Sequence, residues 1–326
     1  MRKFIWKVVQ FILLPLIIIF TFDIILRSQN SLYKEKYVGA MACNDSIEVL
    51  ILGNSHANYG VDPGAFDMYA YNLANVQQSI YFDKRITLSL LPYCKNVKYV
   101  LISIDYHSLY FSSQQMRNIW SYYGNGIKYK DSNFLLADIS PFLFGYTPKV
   151  SVSILKKKVL NRLIYGKNIL DFDVENGVNL KDSLVKGFIS YENFDSKSFT
   201  EEMYQSRANS LKPKNPKFGE KKEVYEDLVD FIENLLELDI TPIFFTTPTY
   251  KEYNKYLDTI IIYDNLKDIE ILCKNGGLTY WNFMESSEFE KDNFYNGDHL
   301  NKSGAYKFAK ILNDSLLKLH ENRHIN

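Results

Sequence analysis

The sequence has few cysteines and no surplus of charge of either sign. Its three cysteines, Cys43, Cys94 and Cys273, are widely spaced and form no Cys-x-x-Cys pair, so neither a zinc site nor a disulfide framework is indicated. The 38 Lys and Arg residues balance 38 Asp and Glu residues, which argues against an electrostatic nucleic-acid binder. A glycine-rich phosphate loop before a helix is also missing from the pattern. We therefore expect no metal, no cofactor and no nucleic-acid partner.

One long hydrophobic run is present, and it lies at the N-terminus. The segment 4–26, FIWKVVQFILLPLIIIFTFDIIL, is long and apolar enough to cross a bilayer as a helix. We therefore interpret residues 1–30 as a membrane anchor. A cleaved signal peptide is the alternative, but the small-residue sequence Ala-Met-Ala at 40–42 lies too far beyond the apolar run. Lysine and arginine occur on both sides of the run, and their distribution therefore gives no orientation.

Apolar runs alternate with helix-like segments along the rest of the chain. Runs rich in β-branched and aromatic residues predict buried strands at 46–52, 97–104, 241–247 and 278–283. Helical patterns precede the last three strands, and a final helix is predicted at 301–322, capped by Asn301 or Ser303. This alternation specifies an α/β fold with a parallel sheet covered on both faces. We predict a three-layer domain over 46–326, joined to the anchor by a polar stalk at 31–45.

Polar residues follow the predicted strands at their carboxyl ends, where such sheets bind ligands. Ser55 lies just beyond the first strand in LGNSH, Asp105 and His107 follow the second, and Thr247 and Tyr250 follow the third. We expect these residues to share one edge of the sheet. A serine there can be a nucleophile if a base takes its proton, whereas Gly-Asn-Ser-His by itself is also an ordinary turn.

The base must come from five histidines. His320 and His324 lie in a polar C-terminal tail, and His56 adjoins Ser55, which usually aims the two side chains apart. His299 lies in the turn-rich loop FYNGDHLNKSGA before the last helix, and a loop at that place can return to the strand edge. Because triads are recognised by geometry rather than by spacing, His299 is the best candidate for the base.

The two segments LGNSHANYGVDP and FYNGDHLNKSGA resemble the first and last motif blocks of the SGNH/GDSL hydrolase superfamily. Together they are similar to its membrane-anchored bacterial branch linked to polysaccharide acylation, which includes the alginate O-acetylation proteins and the D-alanine transfer protein of teichoic acids. The resemblance covers about 46–312 without residues 111–218. It implies an SGNH/flavodoxin-like sheet and a serine esterase or O-acyltransferase acting on acyl esters of a bacterial surface glycan. It further implies an acyl donor, an extracytoplasmic catalytic domain and a membrane-bound acyltransferase partner.

The resemblance also implies roles for individual residues. Ser55 matches the nucleophile, with its backbone N–H as one oxyanion donor, and His299 matches the base. The second block resembles YNLANVQQS at 71–79, which makes Ala74 a further backbone donor with Asn72 nearby. Candidates for a third donor are Asn75, Gln77 and Gln78, and the residues expected beside the substrate are Thr247 and Tyr250.

Two positions depart from the family pattern. Asn54 stands before the serine where aspartate is usual, and its hydrogen bonds can still shape the turn. Asn296 stands three before the base, where the family has the aspartate that orients the histidine, while Asp298 directly precedes His299. Losing that acid can cost about 10⁴ in rate when the tautomer is wrong. The sequence leaves open a Ser-His pair aided by Asn296 or Asp298, an impaired glycan-binding or assembly protein, and a purely structural envelope protein.

Residues 111–218 fit the strand and helix alternation poorly. They include the aromatic segment WSYYGNGIKY, the basic segment SILKKKVLNRLIYGKN and the irregular segment SLKPKNPKFGEKK. We interpret them as an insertion or cap over the site, where such inserts usually decide which substrate is accepted. The alternative is that they extend the core.

Overall fold

The computed structural model describes residues 1–27, 31–111, 122–127, 136–145, 184–191, 199–212 and 218–325, with short pieces at 152, 156, 172–173 and 178–179. Backbone contacts divide the chain into two compact units, of which the first holds residues 1–35 and 114–182 and the second holds residues 36–113 and 183–326. The insertion predicted at 111–218 is therefore divided between the two units, and much of it lies outside the described residues.

The described helices and strands follow one another in this chain order: α1 (Arg2–Arg27), α2 (Leu32–Ala42), β1 (Val49–Leu52), α3 (Ser55–Gly60), β2 (Ala70–Asn72), α4 (Ile80–Leu90), β3 (Tyr99–Ser103), α5 (Leu136–Ile139), β4 (Phe172–Asp173), β5 (Val178–Asn179), α6 (Glu201–Leu211), α7 (Phe218–Glu237), β6 (Thr241–Thr246), α8 (Lys251–Asn254), α9 (Thr259–Gly276), β7 (Thr279–Asn282) and α10 (Lys302–Ile325). Short single turns of helix occur at Asn44–Ser46, Pro63–Ala65, Ser108–Tyr110, Pro141–Gly145 and Lys291–Asn293.

In the first unit, helix α1 has the length and hydropathy of a membrane span, as predicted, and its most apolar window is only 6% buried. Near its end the carboxylate of Asp23 accepts hydrogen bonds from the Ser140 hydroxyl (2.9 Å) and the Phe142 backbone N–H (2.9 Å). The ring of Phe22 lies 5.0 Å from that of Phe142. These contacts satisfy the acidic residue that interrupts the apolar run.

Strands β4 and β5, also in the first unit, pair antiparallel.

The second unit is built on a five-stranded parallel sheet with the strand order β2-β1-β3-β6-β7. The α/β class and the parallel sheet are therefore confirmed. Every residue of β1, β3 and β6 is buried, as expected for strands covered on both faces. Strand β2 was not predicted, because a segment of three residues is too short to show a periodic pattern.

In the second unit, helices α4, α7 and α10 agree with the predicted positions, whereas one further predicted helix is broken in two. The segment 253–276, predicted as one helix, contains the end of α8 and then α9, which begins where the Asp258 carboxylate accepts the backbone N–H of Ile260 (3.1 Å). The last helix starts after Asn301, whose side-chain oxygen accepts the N–H of Gly304 (3.0 Å). Asn301 is therefore the cap, and the Ser303 hydroxyl donates to it (2.8 Å).

The segment predicted as a stalk is helical in the structure, because residues 32–42 form α2. From Lys36 onward this helix belongs to the second unit, and Lys36 is 1% exposed. Its ammonium donates to the side-chain oxygen of Asn58 (2.6 Å) and to the backbone carbonyl of Ala74. Burial holds the pKa of Lys36 well below its usual range. The segment was predicted to be a solvated stalk because of its polar residues, and one of these, Lys36, is buried in the structure.

Candidate active site

The turn after β1 presents Ser55 at the first position of α3. Gly53 has φ +130°, and a Cβ there would lie 2.6 Å from the Ser103 Cβ, so a side chain at this position would clash. The side chain of Asn54 accepts the backbone N–H of His56 (2.9 Å), which caps α3 and gives Asn54 the turn-shaping role expected of it. Within residues 53–60, only Ser55 is not buried. Its hydroxyl is therefore the group of this turn that a ligand can reach.

The loop before α10 brings His299 back to the same edge of the sheet. Phe294 and Leu300 pair across the base of the loop. Inside it, the side-chain oxygen of Asn296 accepts the backbone N–H groups of Asp298 (3.0 Å) and His299 (2.7 Å). The loop is thus held by its own backbone and by Asn296, which gives the imidazole a fixed position.

Ser55 and His299 are in hydrogen-bond contact although 244 positions separate them, with 2.9 Å between Ser55 Oγ and His299 Nε2. For Nε2 to take the serine proton, the neutral ring must carry its hydrogen on Nδ1. The oxygens near Nδ1 belong to Asn296, at 3.2 Å, and to Asp298, at 3.3 Å. The pair therefore has the geometry of a nucleophile and its base.

Burial lowers the pKa of His299 below its ordinary value, and the positive charges of His56 and Arg207 act in the same direction. The negative charge of Asp298 opposes this shift. At neutral pH the imidazole is accordingly unprotonated, which is the state a general base requires.

Asp298 lies at the centre of a buried cluster of charges. Its Oδ2 is 2.7 Å from Nη2 and 2.9 Å from Nε of Arg207, and 3.1 Å from Nε2 of His56. On its other side, His56 places Nδ1 3.0 Å from Oδ1 of Asp105, which lies two residues beyond β3. The cluster therefore pairs two carboxylates with two cations, which is how buried charges are tolerated.

The charge states of this cluster follow from the same contacts. Burial by itself would lower the pKa of His56, but Asp105 and Asp298 outweigh it and raise the pKa to about 10. Burial would raise the pKa of Asp298, but the two histidines hold it well below its usual range. His107, whose ring lies 6.2 Å from that of His56, has its pKa lowered to about 4 by burial and by the charge of His56. At neutral pH we assign a charge to His56 and none to His107.

Three tyrosine rings form a wall beside His299. Tyr191 stacks on Tyr59 at 3.9 Å between ring centroids and on Tyr295 at 4.0 Å. Tyr59 and Tyr191 stand edge-on to the imidazole, at 5.9 and 5.7 Å. Tyr191 lies within the span 111–218 that was predicted as an insertion.

The second predicted motif block adjoins the nucleophile turn. The backbone N–H of Asn75 donates to the carbonyl of Gly53 (3.0 Å), which ties residue 75 to the turn that carries Ser55. The N–H of Ala74, the expected oxyanion donor, donates to the side-chain oxygen of Asn72 (3.0 Å). Asn75 is thus one residue of this block that contacts the nucleophile turn directly, and Asn72 is another, since its amide donates to the carbonyl of Ala57 in α3 (2.9 Å).

Gln77 and Gln78 differ in their surroundings. Gln78 is buried, and its amide donates to the carbonyl of Leu73 (3.2 Å) and to Asp83 Oδ1 (2.6 Å), which also accepts the N–H of Gly53 (3.1 Å). Gln77 is half-buried and has φ +56°. Through Asp83, the observed contacts of Gln78 therefore support the turn that carries Ser55.

Thr247 and Tyr250, predicted to touch substrate, lie near the site and differ in exposure, Thr247 being buried and Tyr250 half-buried. Thr247 is 1% exposed, and its hydroxyl donates to Asp105 Oδ1 (3.3 Å). The backbone N–H of Tyr250 donates to the carbonyl of Gly297 (2.9 Å), and its ring packs 5.8 Å from that of Phe294. Both residues lie at the predicted edge of the sheet, where Thr247 contacts Asp105 and Tyr250 contacts the loop that carries His299.

His56, Asp298 and His299 each offer one potential metal ligand atom, and these atoms lie within 4.8 Å of one another. The donors are engaged in this arrangement, since Asp298 contacts Arg207 and His56, and His299 Nε2 contacts Ser55. Among the residues that the structure describes, this set is better explained as a hydrogen-bonded network than as an open metal site.

Sequence reasoning missed His56, Arg207 and Lys36. His56 was set aside because it adjoins Ser55, yet in a single turn of helix its side chain reaches two carboxylates at the back of the site. Arg207 lies in the segment that broke the strand and helix alternation, and it has no local motif. The signal that was available is the need of the buried Asp298 for a positive partner.

Comparison with known proteins provides no family for this chain. No protein-family model matches the sequence, and no curated protein matches it either. Its chemistry is therefore argued from the arrangement of Ser55, His299 and the charged cluster.

Proposed function

We propose that this chain is a membrane-anchored, SGNH-like serine esterase or O-acyltransferase that acts on acyl esters of a bacterial cell-surface polysaccharide. The observation that carries the proposal is the 2.9 Å contact between Ser55 Oγ and His299 Nε2. A half-exposed serine hydroxyl on a buried, neutral imidazole is the arrangement that nucleophilic acyl chemistry needs.

The location of the pair in the sheet supports the proposal. The strand order β2-β1-β3-β6-β7 is that of flavodoxin-like sheets, in which the order of strand addition reverses between β1 and β3. Ser55 follows β1, and Asp105 follows β3. Ligands of such sheets bind in the crevice outside this point, so the candidate nucleophile lies where a substrate is expected.

The reaction uses the two side chains in turn. Ser55 Oγ attacks the carbonyl carbon of the ester while His299 Nε2 takes its proton. The bond from that carbon to the sugar oxygen then breaks, and His299 returns the proton to the departing oxygen. Water or a second sugar hydroxyl next gives its proton to His299 and attacks the acyl-serine. The bond from the acyl carbon to Ser55 Oγ then breaks, and His299 passes the proton to Oγ, which regenerates the serine. The enzyme is an esterase or a transferase according to which acceptor enters.

The oxyanion formed in each step requires hydrogen-bond donors. We assign this role to the backbone N–H of Ser55 and to the Asn75 side chain, because Asn75 is tied to the nucleophile turn through Gly53. Removing one such donor typically lowers kcat by about 10²–10³.

The remaining features bear on the substrate and the location. The tyrosine wall formed by Tyr59, Tyr191 and Tyr295 offers flat apolar ring faces with polar hydroxyl tips next to the base, which suits a sugar ring. Helix α1 would keep the enzyme at the membrane, with the catalytic unit on the extracytoplasmic side beside a membrane-bound acyltransferase partner. The acyl donor in that case would be delivered at the membrane surface.

A serine-reactive fluorophosphonate tests the nucleophile on the full-length protein in detergent. We expect labelling that Ser55→Ala abolishes and His299→Ala weakens, and a loss of at least about 10³ in kcat/KM on an acetyl ester. Ser89→Ala is the matched control, because that hydroxyl is bonded to the Ile86 carbonyl within α4 (2.8 Å) and should label and react as wild type.

Two results separate the alternatives. Acyl transfer to an added oligosaccharide identifies a transferase, whereas release of free acid alone identifies an esterase. If the wild type neither labels nor turns over esters but binds the polysaccharide, the chain is a binding or assembly protein and the proposed chemistry is refuted.

A further inference from the structure

We infer that Asp298, the residue directly before His299, stabilises the protonated imidazole of His299 during the reaction. In the SGNH pattern this role belongs to an acid three positions before the base. His56 and Arg207 are the positioning residues that keep Asp298 in that role. The inference rests on the proposed function, in which Ser55 is the nucleophile and His299 the base.

Asn296 occupies the expected position of the acid but is already engaged by the backbone. Its side-chain oxygen accepts the N–H groups of Asp298 and His299, which fixes the orientation of the amide. Nδ1 of His299 lies 3.2 Å from that oxygen and 3.1 Å from the amide nitrogen, so Asn296 holds the ring in place without selecting its tautomer. An amide is neutral, however, and supplies no charge to stabilise the imidazolium that forms when His299 takes the serine proton.

Asp298 provides that charge. Its Oδ1 is 3.3 Å from His299 Nδ1, slightly longer than an ordinary hydrogen bond, so its effect on the ring is mainly electrostatic. A residue next to the base in sequence does not normally face the base. Here the Asp298 side chain is turned completely inward and has no exposed surface.

The reason for this inward turn is found in the partners of Asp298. Arg207 reaches it from α6 with Nε and Nη2, and His56 reaches it from α3 with Nε2. Without these two cations, a fully buried carboxylate would be strongly disfavoured in its ionised form. The cations therefore both place the carboxylate and keep its charge.

His56 in turn depends on Asp105. The contact of His56 Nδ1 with Asp105 Oδ1 (3.0 Å) supports the protonated imidazole, and the Ser103 hydroxyl donates to the other oxygen of Asp105 (3.3 Å). Asp105, His56, Asp298 and His299 accordingly form a continuous buried series that ends at the serine. The series connects the carboxyl end of β3 to the base.

Kinetics of acid variants test the inference in the full-length protein. Asp298→Asn should lower kcat by about 10²–10⁴ with KM changed less than about 3-fold, because the interaction strengthens only as charge develops on His299. The double variant Asn296→Asp/Asp298→Asn restores an acid at the usual position, and we expect it to recover at least about tenfold in kcat. Arg207→Lys keeps the positive charge but loses the two parallel hydrogen bonds of the guanidinium, and it should lose less activity than Arg207→Gln.

A direct titration of His299 gives a readout that does not depend on catalysis. NMR of protein labelled with ¹⁵N-histidine, assigned with His299→Gln, should show the pKa of His299 falling by about one unit or more in Asp298→Asn, since the carboxylate charge favours the protonated ring. Ser89→Ala serves as the matched control, because its hydroxyl is bonded within α4, and it should leave the pKa of His299 at its wild-type value. Melting temperatures identify any variant that fails to fold, and the Arg207 pair then carries the comparison.

The outcomes are distinct. If folded Asp298→Asn keeps both the wild-type kcat and the wild-type pKa of His299, the inference is overturned. If kcat falls but the pKa of His299 does not move, Asp298 acts only as a structural support, which also overturns it. If the pKa moves while the wild type neither labels nor hydrolyses esters, the proposed function fails and the electrostatic link between Asp298 and His299 stands.

Discussion

The interior of the parallel sheet and its carboxyl edge are equally buried but chemically opposite. The central residues of β1, β3 and β6 are apolar and have no exposed surface. One to four residues beyond the ends of these strands, the buried side chains are polar or charged, as at His56, Asp105 and Thr247. Burying apolar side chains stabilises the fold, whereas burying charges at best offsets its own cost. The edge is therefore organised for chemistry, and the interior for stability.

The largest expected effect is the loss of stability caused by a cavity in the interior of the sheet. Phe245 in β6 is fully buried and packs against Phe308 of α10, with 6.0 Å between ring centroids. Phe245→Ala should lower the free energy of unfolding by about 3–5 kcal/mol, measured by urea denaturation in detergent. The control is Ile260→Ala, since Ile260 is 77% exposed and its truncation should change stability by less than about 0.5 kcal/mol.

The same variant also tests the separation of roles. Folded Phe245→Ala protein should keep the wild-type reactivity of Ser55 towards a fluorophosphonate. A large loss of reactivity without a loss of stability would show that interior and edge are not separable.

The interior was more predictable from the sequence than the edge. Continuous apolar runs identified β1, β3 and β6, because a strand buried on both faces needs little else. Strand β2 was missed because only Ala70–Asn72 form it, and its neighbours give no periodic signal. The break at Asp258 was missed because apolar residues continue at helical spacing on both sides of it.

At the edge, two motifs predicted Ser55 and His299, while the partners that complete the site could not be read from the sequence. Asp298 was discounted because neighbouring residues in a chain seldom face each other. Its inward orientation depends on Arg207, which lies 91 positions earlier in the chain. Contacts of that range are set by tertiary structure, and no local pattern records them.

The pH dependence of stability sharpens the comparison at the charged edge. The folded state raises the pKa of His56 from 6.5 to about 10, so the folded protein keeps a proton that the unfolded chain releases. The stabilisation is complete below about pH 6.5 and is lost as pH rises towards 10. We expect the free energy of unfolding to fall by about 2–3 kcal/mol between pH 7 and pH 9.5.

The control for this prediction is His56→Gln, which removes the titrating ring. Asp83, whose pKa burial raises to about 7, titrates in both proteins and cancels in the comparison. The groups facing His56 are Asp105, Asp298, His299 and His107. Equal slopes for wild type and variant would show that His56 carries no charge in the folded protein.

The turn between interior and edge is tested by adding a single methyl group. Gly53→Ala places a Cβ 2.6 Å from the Ser103 Cβ at φ +130°, and should cost about 1–3 kcal/mol of stability together with much of the reactivity of Ser55. Gly126→Ala is the control, since Gly126 has φ +95° but has no atom within 4 Å of the added Cβ. If both variants lose the same stability, backbone strain alone explains the requirement for glycine, and the contact with β3 is unimportant.

The smallest expected effect concerns Thr247, which was predicted to lie beside the substrate and is buried in the structure. Thr247→Val keeps the shape and removes the hydroxyl that donates to Asp105 (3.3 Å). Because Asp105 retains its contacts with His56 and Ser103, we expect a loss of less than about 1 kcal/mol in stability. The KM for an ester should remain within about 2-fold of wild type, with any change appearing in kcat through the charged series. A rise in KM at unchanged kcat would instead mean that Thr247 contacts the substrate, and that this part of the edge opens when a ligand binds.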